Sequence, residues 1–155
     1  MKVLSEIRNP ELEKPTSGMI RLPNGLIGFP QHKKIELFYQ AEQLPFIWMK
    51  LHGPEPLTFV VIEPAGLIAD YEPELFDEDA YFLGLTSAED AALLNIVTLA
   101  GQAPYMTATV NLAGPIVINR RKGIAKQVVL ANYSRYSAHH PLVENAVYTP
   151  AASNF

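Results

Sequence analysis

The sequence predicts a mainly β fold: a small antiparallel β-barrel-like single domain, or a sandwich, with one or two short helices. Three observations carry that expectation. Short runs rich in β-branched and aromatic residues recur along the chain, each bounded by Gly, Pro, Asn or Asp. No helical pattern is long enough to act as the crossover of repeated βαβ units. With 155 residues, 48% hydrophobic and 18% charged, the chain can bury a core and is too apolar for disorder.

The elements follow in order. Gly18–Leu22 is the first strand candidate and leads into the turn Pro23-Asn24-Gly25, where Asn and Gly tolerate positive φ. Leu26–Pro30 closes that loop and Lys33–Tyr39 follows as a strand. Phe46–Leu51 puts Ile47, Met49 and Leu51 on one face and Phe46 and Trp48 on the other. Both faces are at least half apolar, so this strand is expected to be central and Trp48 to pack in the core. Leu57–Glu63 is hydrophobic without alternation up to Pro64, the pattern of a strand covered on both sides.

Asp70–Asp79 is acidic and ends in a short helix over Asp77–Leu83. Ser87 can cap a turn through Glu89 and Asp90, ahead of a strand at Leu93–Leu99. Tyr105–Leu112 alternates, Ala113-Gly114-Pro115 turns, and Pro115–Asn119 runs on. Arg120–Gly123 is a basic turn, and Ile124–Leu130 returns as the second arm of a hairpin. Asn111 and Asn119, at strand ends flanking Pro115, are expected to bond turn backbone. Residues 17–142 are read as the domain, 1–16 as an N-terminal extension or first edge strand, and 143–155 as a C-terminal tail, part of it mobile.

Catalytic chemistry finds no foothold. Without cysteine there is no disulfide, thiolate metal site or cysteine nucleophile. The four histidines, His32, His52, His139 and His140, are never spaced to put two ligands on one face of an element. A G-x-S-x-G elbow is absent, and Ser137 with His139 two residues on is proximity in a loop. The clustered carboxylates of Asp70–Asp79 single out no acid–base pair. The chain is therefore expected not to be an enzyme, with no cofactor and no metal. Its first eighteen residues are charged and polar, and its apolar runs are too short to cross a bilayer, so a cytoplasmic protein without a membrane partner is expected.

The net charge of −4 hides a sharper asymmetry. Between Leu51 and Asn119 there is no Lys or Arg, and that stretch carries ten acids. The first fifty residues hold seven basic and five acidic side chains, and the last thirty-six hold five basic and one acidic. An anionic middle repels phosphate backbones, so no direct nucleic-acid ligand is expected, and it attracts cationic partners. Aromatics interleave with the acids, as anchors do in interfaces. Asp70, Tyr71, Glu72, Glu74, Asp77, Glu78 and Asp79 are the candidate partner-binding residues.

The stretches GLIGFPQHKKIELF (Gly25–Phe38), PFIWMKL (Pro45–Leu51), LTFVVIEP (Leu57–Pro64), DYEPEL (Asp70–Leu75) and TVNLAGPIVINRRKGIAKQVVL (Thr109–Leu130), with Tyr136 and HPL at His140–Leu142, form an ordered set across residues 17–142. In that set the chain resembles the FliW family of flagellar assembly factors. Gly28, Phe29, Trp48, Asn111, Pro115, Asn119 and Gln127 are its structural motif positions. It departs at Lys50-Leu51, where the family commonly shows Gln-Ser. The resemblance implies a small antiparallel β-barrel-like fold, no cofactor, and a cytoplasmic, non-enzymatic antagonist of CsrA, the dimeric RNA-binding repressor of translation. It implies two partners, flagellin and CsrA, with CsrA taken off flagellin messenger RNA when flagellin is exported. A β-barrel module binding a carbohydrate or metabolite, with Trp48 or exposed tyrosines stacking on the ligand, is the alternative.

Overall fold

The computed structural model describes residues 1–5, 19–102 and 104–142. Most of the expected extension over 1–16 and the whole tail over 143–155 lie outside the described residues. The elements run β1 (Ile20–Arg21), β2 (Lys34–Phe38), β3 (Ile47–His52), β4 (Leu57–Ile62), α1 (Asp77–Leu83), β5 (Ala91–Ala100), β6 (Thr107–Val110), β7 (Ile116–Asn119), β8 (Ile124–Gln127) and β9 (His140–Pro141). All eight expected strands and the expected helix are present, with shifted ends. The two-residue β9 carries no periodicity and includes a proline, so its own sequence could not announce it.

Seven strands close a barrel in the order β4-β3-β2-β1-β8-β7-β5, sealed by β4 against β5. The upper half of β5 pairs onward with β6, and β6 with β9. Neighbours are antiparallel except at one point: β1 meets β8 in parallel through Arg21 and Ile124. A hairpin alone cannot close a sheet. That single parallel contact joins the first and last strands of the barrel and removes the free edges.

Closure depends on a tight loop between β1 and β2. Gly25 takes a left-handed φ of +64°, and a Cβ there would fall 2.2 Å from the Phe29 carbonyl oxygen. Only glycine fits.

Two apolar clusters share the strands. One fills the barrel, with Leu22, Ile35, Leu37, Met49, Leu51, Leu94, Ile116 and Ile118. The other lies outside the wall, where Tyr71, Leu75, Leu83 and Leu85 cover Leu93, Val97, Val110, Val117 and Val128. Hence β5 over Ala91–Asn95 and all of β7 are buried on both faces. Burying a large aliphatic side chain is worth about 1.5–3 kcal/mol, so both clusters matter to stability.

Two expectations need correction. Only Val61 and Ile62 of β4 are covered on both faces, because the outer layer does not reach its first four residues. β3 is central, between β2 and β4, and Ile47, Met49 and Leu51 face inward. Trp48 is therefore on the outer face and half-buried, its Nε1–H donating to Gln43 Oε1 at 2.8 Å. Hydrophobic runs identify strands but do not say which side of a barrel wall is inside.

Candidate interaction surface

The acidic stretch is an extended strip followed by a helix. Tyr71, Pro73 and Leu75 point inward and are buried, while Glu72 is exposed and Glu74 half-buried. That alternation is the period-two signature of extended backbone. On one side residues 1–5 run alongside: Leu75 N–H donates to the Met1 carbonyl at 2.7 Å, and Val3 N–H to the Pro73 carbonyl at 3.1 Å. On the other side Asn132 Oδ1 accepts from Glu74 N–H at 3.0 Å, and Asn132 Nδ2 donates to the Glu72 carbonyl at 2.8 Å. The Tyr136 hydroxyl accepts from Glu72 N–H at 2.8 Å. A strip held on both edges presents its carboxylates from fixed backbone.

α1 continues that surface. Asp77, Glu78 and Asp79 occupy its first turn, where negative charge meets the positive end of the helix dipole. Ala80 and Leu83 are the buried face, and Asp77, Glu78, Tyr81 and Phe82 face solvent. Tyr81 is 88% exposed, with Phe76 and Phe82 at 45% and 37%. Gly84, at φ +67°, ends the helix: its N–H bonds the Tyr81 carbonyl and Leu85 N–H bonds the Ala80 carbonyl, both at 2.9 Å. This paired closure is the usual left-handed helix stop.

Asn119 completes it from the barrel wall. Its Nδ2 donates to the carbonyls of Leu83 (2.8 Å) and Gly84 (3.3 Å), and its Oδ1 accepts from the Arg121 and Lys122 amides at 3.0 and 3.2 Å.

Of the seven candidate partner-binding residues, Asp70, Glu72, Asp77 and Glu78 are exposed and Glu74 and Asp79 half-buried. Tyr71 is corrected: at 4% exposure it is a core residue. Its hydroxyl donates to the Leu112 carbonyl at 2.7 Å and accepts from Asn95 Nδ2 at 3.1 Å, with Tyr136 edge-on 5.0 Å away. Burial pushes that hydroxyl above the ordinary tyrosine range, the Asn95 hydrogen bond opposing only in part. Phe76, Tyr81 and Phe82 are the aromatics that the surface exposes.

The charge map is also corrected in part. Lys126 pairs with Asp79 and lies 5.1 Å from the Phe82 ring centroid. Arg121 approaches Asp90 at 3.8 Å and Arg135 approaches Glu72 at 3.9 Å. Basic residues of the last third thus fold onto the anionic middle. Sequence distance conceals this, because β8 pairs with β7 directly under α1. Exposed pairs at such separations are weak, so Asp70, Glu74, Glu78 and Glu89 still leave the face anionic.

The motif positions have structural roles. Gly28 takes φ +91° and Phe29 packs edge-on against Phe59 at 5.6 Å. Gln127 spans two loops: Oε1 accepts from Ile27 N–H at 2.9 Å and Nε2 donates to the Gly114 carbonyl at 3.1 Å. Asn111 Oδ1 accepts from Gly114 N–H at 2.9 Å, and the Pro115 carbonyl accepts from Val128 N–H at 3.0 Å.

Ser137 Oγ accepts from the backbone N–H of His139 at 2.9 Å, a local turn bond made by the main chain. Among the described residues no three His, Asp or Glu side chains come together as metal ligands. No helix among them is long and apolar enough to cross a membrane.

Fold and surface together define a closed, mainly antiparallel β-barrel carrying an anionic, aromatic-bearing helix on its outer wall. Comparison with known proteins makes this specific. The FliW protein family model matches residues 4–142. Proteins described as flagellar assembly factor FliW include that of Syntrophus aciditrophicus, 37% identical over 92% of this chain and 88% of its own. That of Geobacillus kaustophilus is 35% identical over 95% of this chain and 99% of its own. A crystal structure of the flagellar assembly factor FliW superposes with a TM-score of 0.70 at 37% identity, covering 83% of this chain and 88% of that one. The chain belongs to the FliW family, and its role is in flagellar assembly.

Proposed function

We propose that this protein is a non-catalytic partner switch in the cytoplasm, binding either flagellin or the translational repressor CsrA. Held by flagellin it is inactive as a regulator; released, it sequesters CsrA and flagellin synthesis resumes. The observation that carries the reading is the anionic face of Asp70–Phe82, braced at its strip, which carries its carboxylates together with exposed Phe76, Tyr81 and Phe82. An RNA-binding repressor is cationic where it meets RNA, and such a face steers it electrostatically. The exposed aromatics of the face supply the apolar anchors that charge alone does not.

Changing Glu72, Glu74, Asp77 and Glu78 together to Lys is expected to weaken capture of CsrA at least about tenfold, roughly 1.4 kcal/mol. The steep fall of the association rate with salt should flatten as well, since exposed charges are screened within about 10 Å at 0.1 M. Unchanged affinity together with an unchanged salt slope, measured by surface plasmon resonance, would rule the face out as the CsrA contact.

A further inference from the structure

We propose that Asn24 is a site of spontaneous covalent modification, deamidation through a cyclic imide, and that the closed barrel holds this reaction back. Asn24-Gly25 is the one place in the chain where glycine follows asparagine. Glycine has no side chain to shield its nitrogen, so in an open chain that nitrogen reaches the preceding side-chain amide most readily. In the reaction Gly25 N gives up its proton and bonds Asn24 Cγ. The Cγ–Nδ2 bond breaks, and ammonia leaves with that proton. Water then opens the imide at either carbonyl, giving an aspartyl or an isoaspartyl residue at position 24.

Asn24 is exposed, so its side chain and water meet freely. The attacking nitrogen is not free. Gly25 is buried, and its N–H donates to the Leu22 carbonyl at 2.9 Å across a turn centred on Pro23 and Asn24. Asn24 has a negative φ, which with that bond makes the turn type I. Such a turn holds its second central residue at ψ about 0°, with the Gly25 nitrogen eclipsing the nitrogen of Asn24. Ring closure needs that nitrogen to eclipse Asn24 Cβ instead, a rotation that breaks the Leu22 bond. Leu22 cannot follow the rotation. It is fully buried, its N–H donates to the Lys33 carbonyl at 2.7 Å, and Lys33 Nζ donates to the Pro23 carbonyl at 2.9 Å. The turn must open before Asn24 reacts, so the native rate is the open-chain rate scaled by the open fraction.

The isoaspartyl product does not fit the native loop. Its main chain runs through Cβ and Cγ and is longer by a methylene just before Gly25. The loop has no slack there, since even a Cβ on Gly25 would fall 2.2 Å from the Phe29 carbonyl oxygen and 2.6 Å from Pro30 Cα. That loop follows β1, whose Arg21 closes the barrel against Ile124. A chain modified while open therefore loses the means to close again, and one hydrogen bond in the turn guards the lifetime of the fold.

Ageing the full chain in mildly alkaline buffer, with and without denaturing urea, measures both rates. Peptide mapping by mass spectrometry follows Asn24, and isoaspartyl methyltransferase counts the isoaspartate. In urea Asn24 should convert ahead of every other asparagine, and in the native protein at least about tenfold more slowly. Conversion in urea no faster than at other asparagines would overturn the site, and equal rates folded and unfolded would overturn the protection. After dilution from urea, aged wild type should regain less native circular dichroism than fresh wild type, in proportion to its isoaspartate. Aged Asn24→Gln should regain as much as fresh Asn24→Gln, because glutamine must close a larger and slower ring. Should fresh Asn24→Gln not fold, Asn24→Ser takes its place. Equal recovery of aged wild type and aged variant would overturn the loss of closure.

Discussion

Asn119 engages four backbone groups from the end of β7, two carbonyls at the stop of α1 and two amides in the basic turn. It is 2% exposed and Leu83 is fully buried, so replacing it with Ala removes all four bonds and leaves the Leu83 carbonyl without a partner and away from water. Leaving buried polar groups unsatisfied costs about 1–3 kcal/mol, and Asn119→Ala is expected to lower stability by at least about 2 kcal/mol in urea unfolding. Tyr71 carries a different signature. Its hydroxyl is held above the ordinary value of 10.0, so the folded state keeps a proton that the unfolded chain gives up. The stability it contributes is complete below about pH 10 and is lost as pH rises beyond that, by up to about 1.4 kcal/mol per pH unit. Tyr71→Phe should cost about 1–2 kcal/mol at neutral pH and flatten the alkaline decline, as read from melting temperature against pH. The asparagine's role as a turn residue was legible in the sequence, because its type and place at a strand end announce it. The helix it closes lies 35 residues away and was not legible.

At the scale of elements, Gly25 and Gly84, both left-handed, separate conformational cost from steric cost. At Gly84 an added Cβ meets only the flexible end of Lys122, so Gly84→Ala should cost about 1 kcal/mol for the backbone conformation. At Gly25 the obstacle is backbone, the Phe29 carbonyl and Pro30. Gly25→Ala should therefore be several times more destabilising, with thermal unfolding of the two variants side by side as the check. Strand and helix positions were visible because their periodicities and punctuation are local. The inward face of β3, the partial cover of β4 and the existence of β9 were not, since each depends on what packs from elsewhere.

For the whole molecule, one stretch of chain faces two ways: Asn132 and Tyr136 brace the acidic strip, while Val129 and Tyr133 line an uncharged cleft beside Ile27 and Gly114. The acidic surface was traceable in the sequence as a stretch of carboxylates uninterrupted by any Lys or Arg. The cleft was not, though Gln127 and Asn111 were marked as motif positions, because three separate segments build it. By itself the sequence determined the mainly β class, the helix at Asp77–Leu83, the family and the anionic middle. These properties reside in residue type and short-range order. Only the tertiary structure decided that Tyr71 is core, that Lys126 and Arg135 approach the acids, and that the barrel closes through Arg21 and Ile124. Those outcomes depend on which distant segments share a wall, and burial, charge pairing and closure are set by that contact in space.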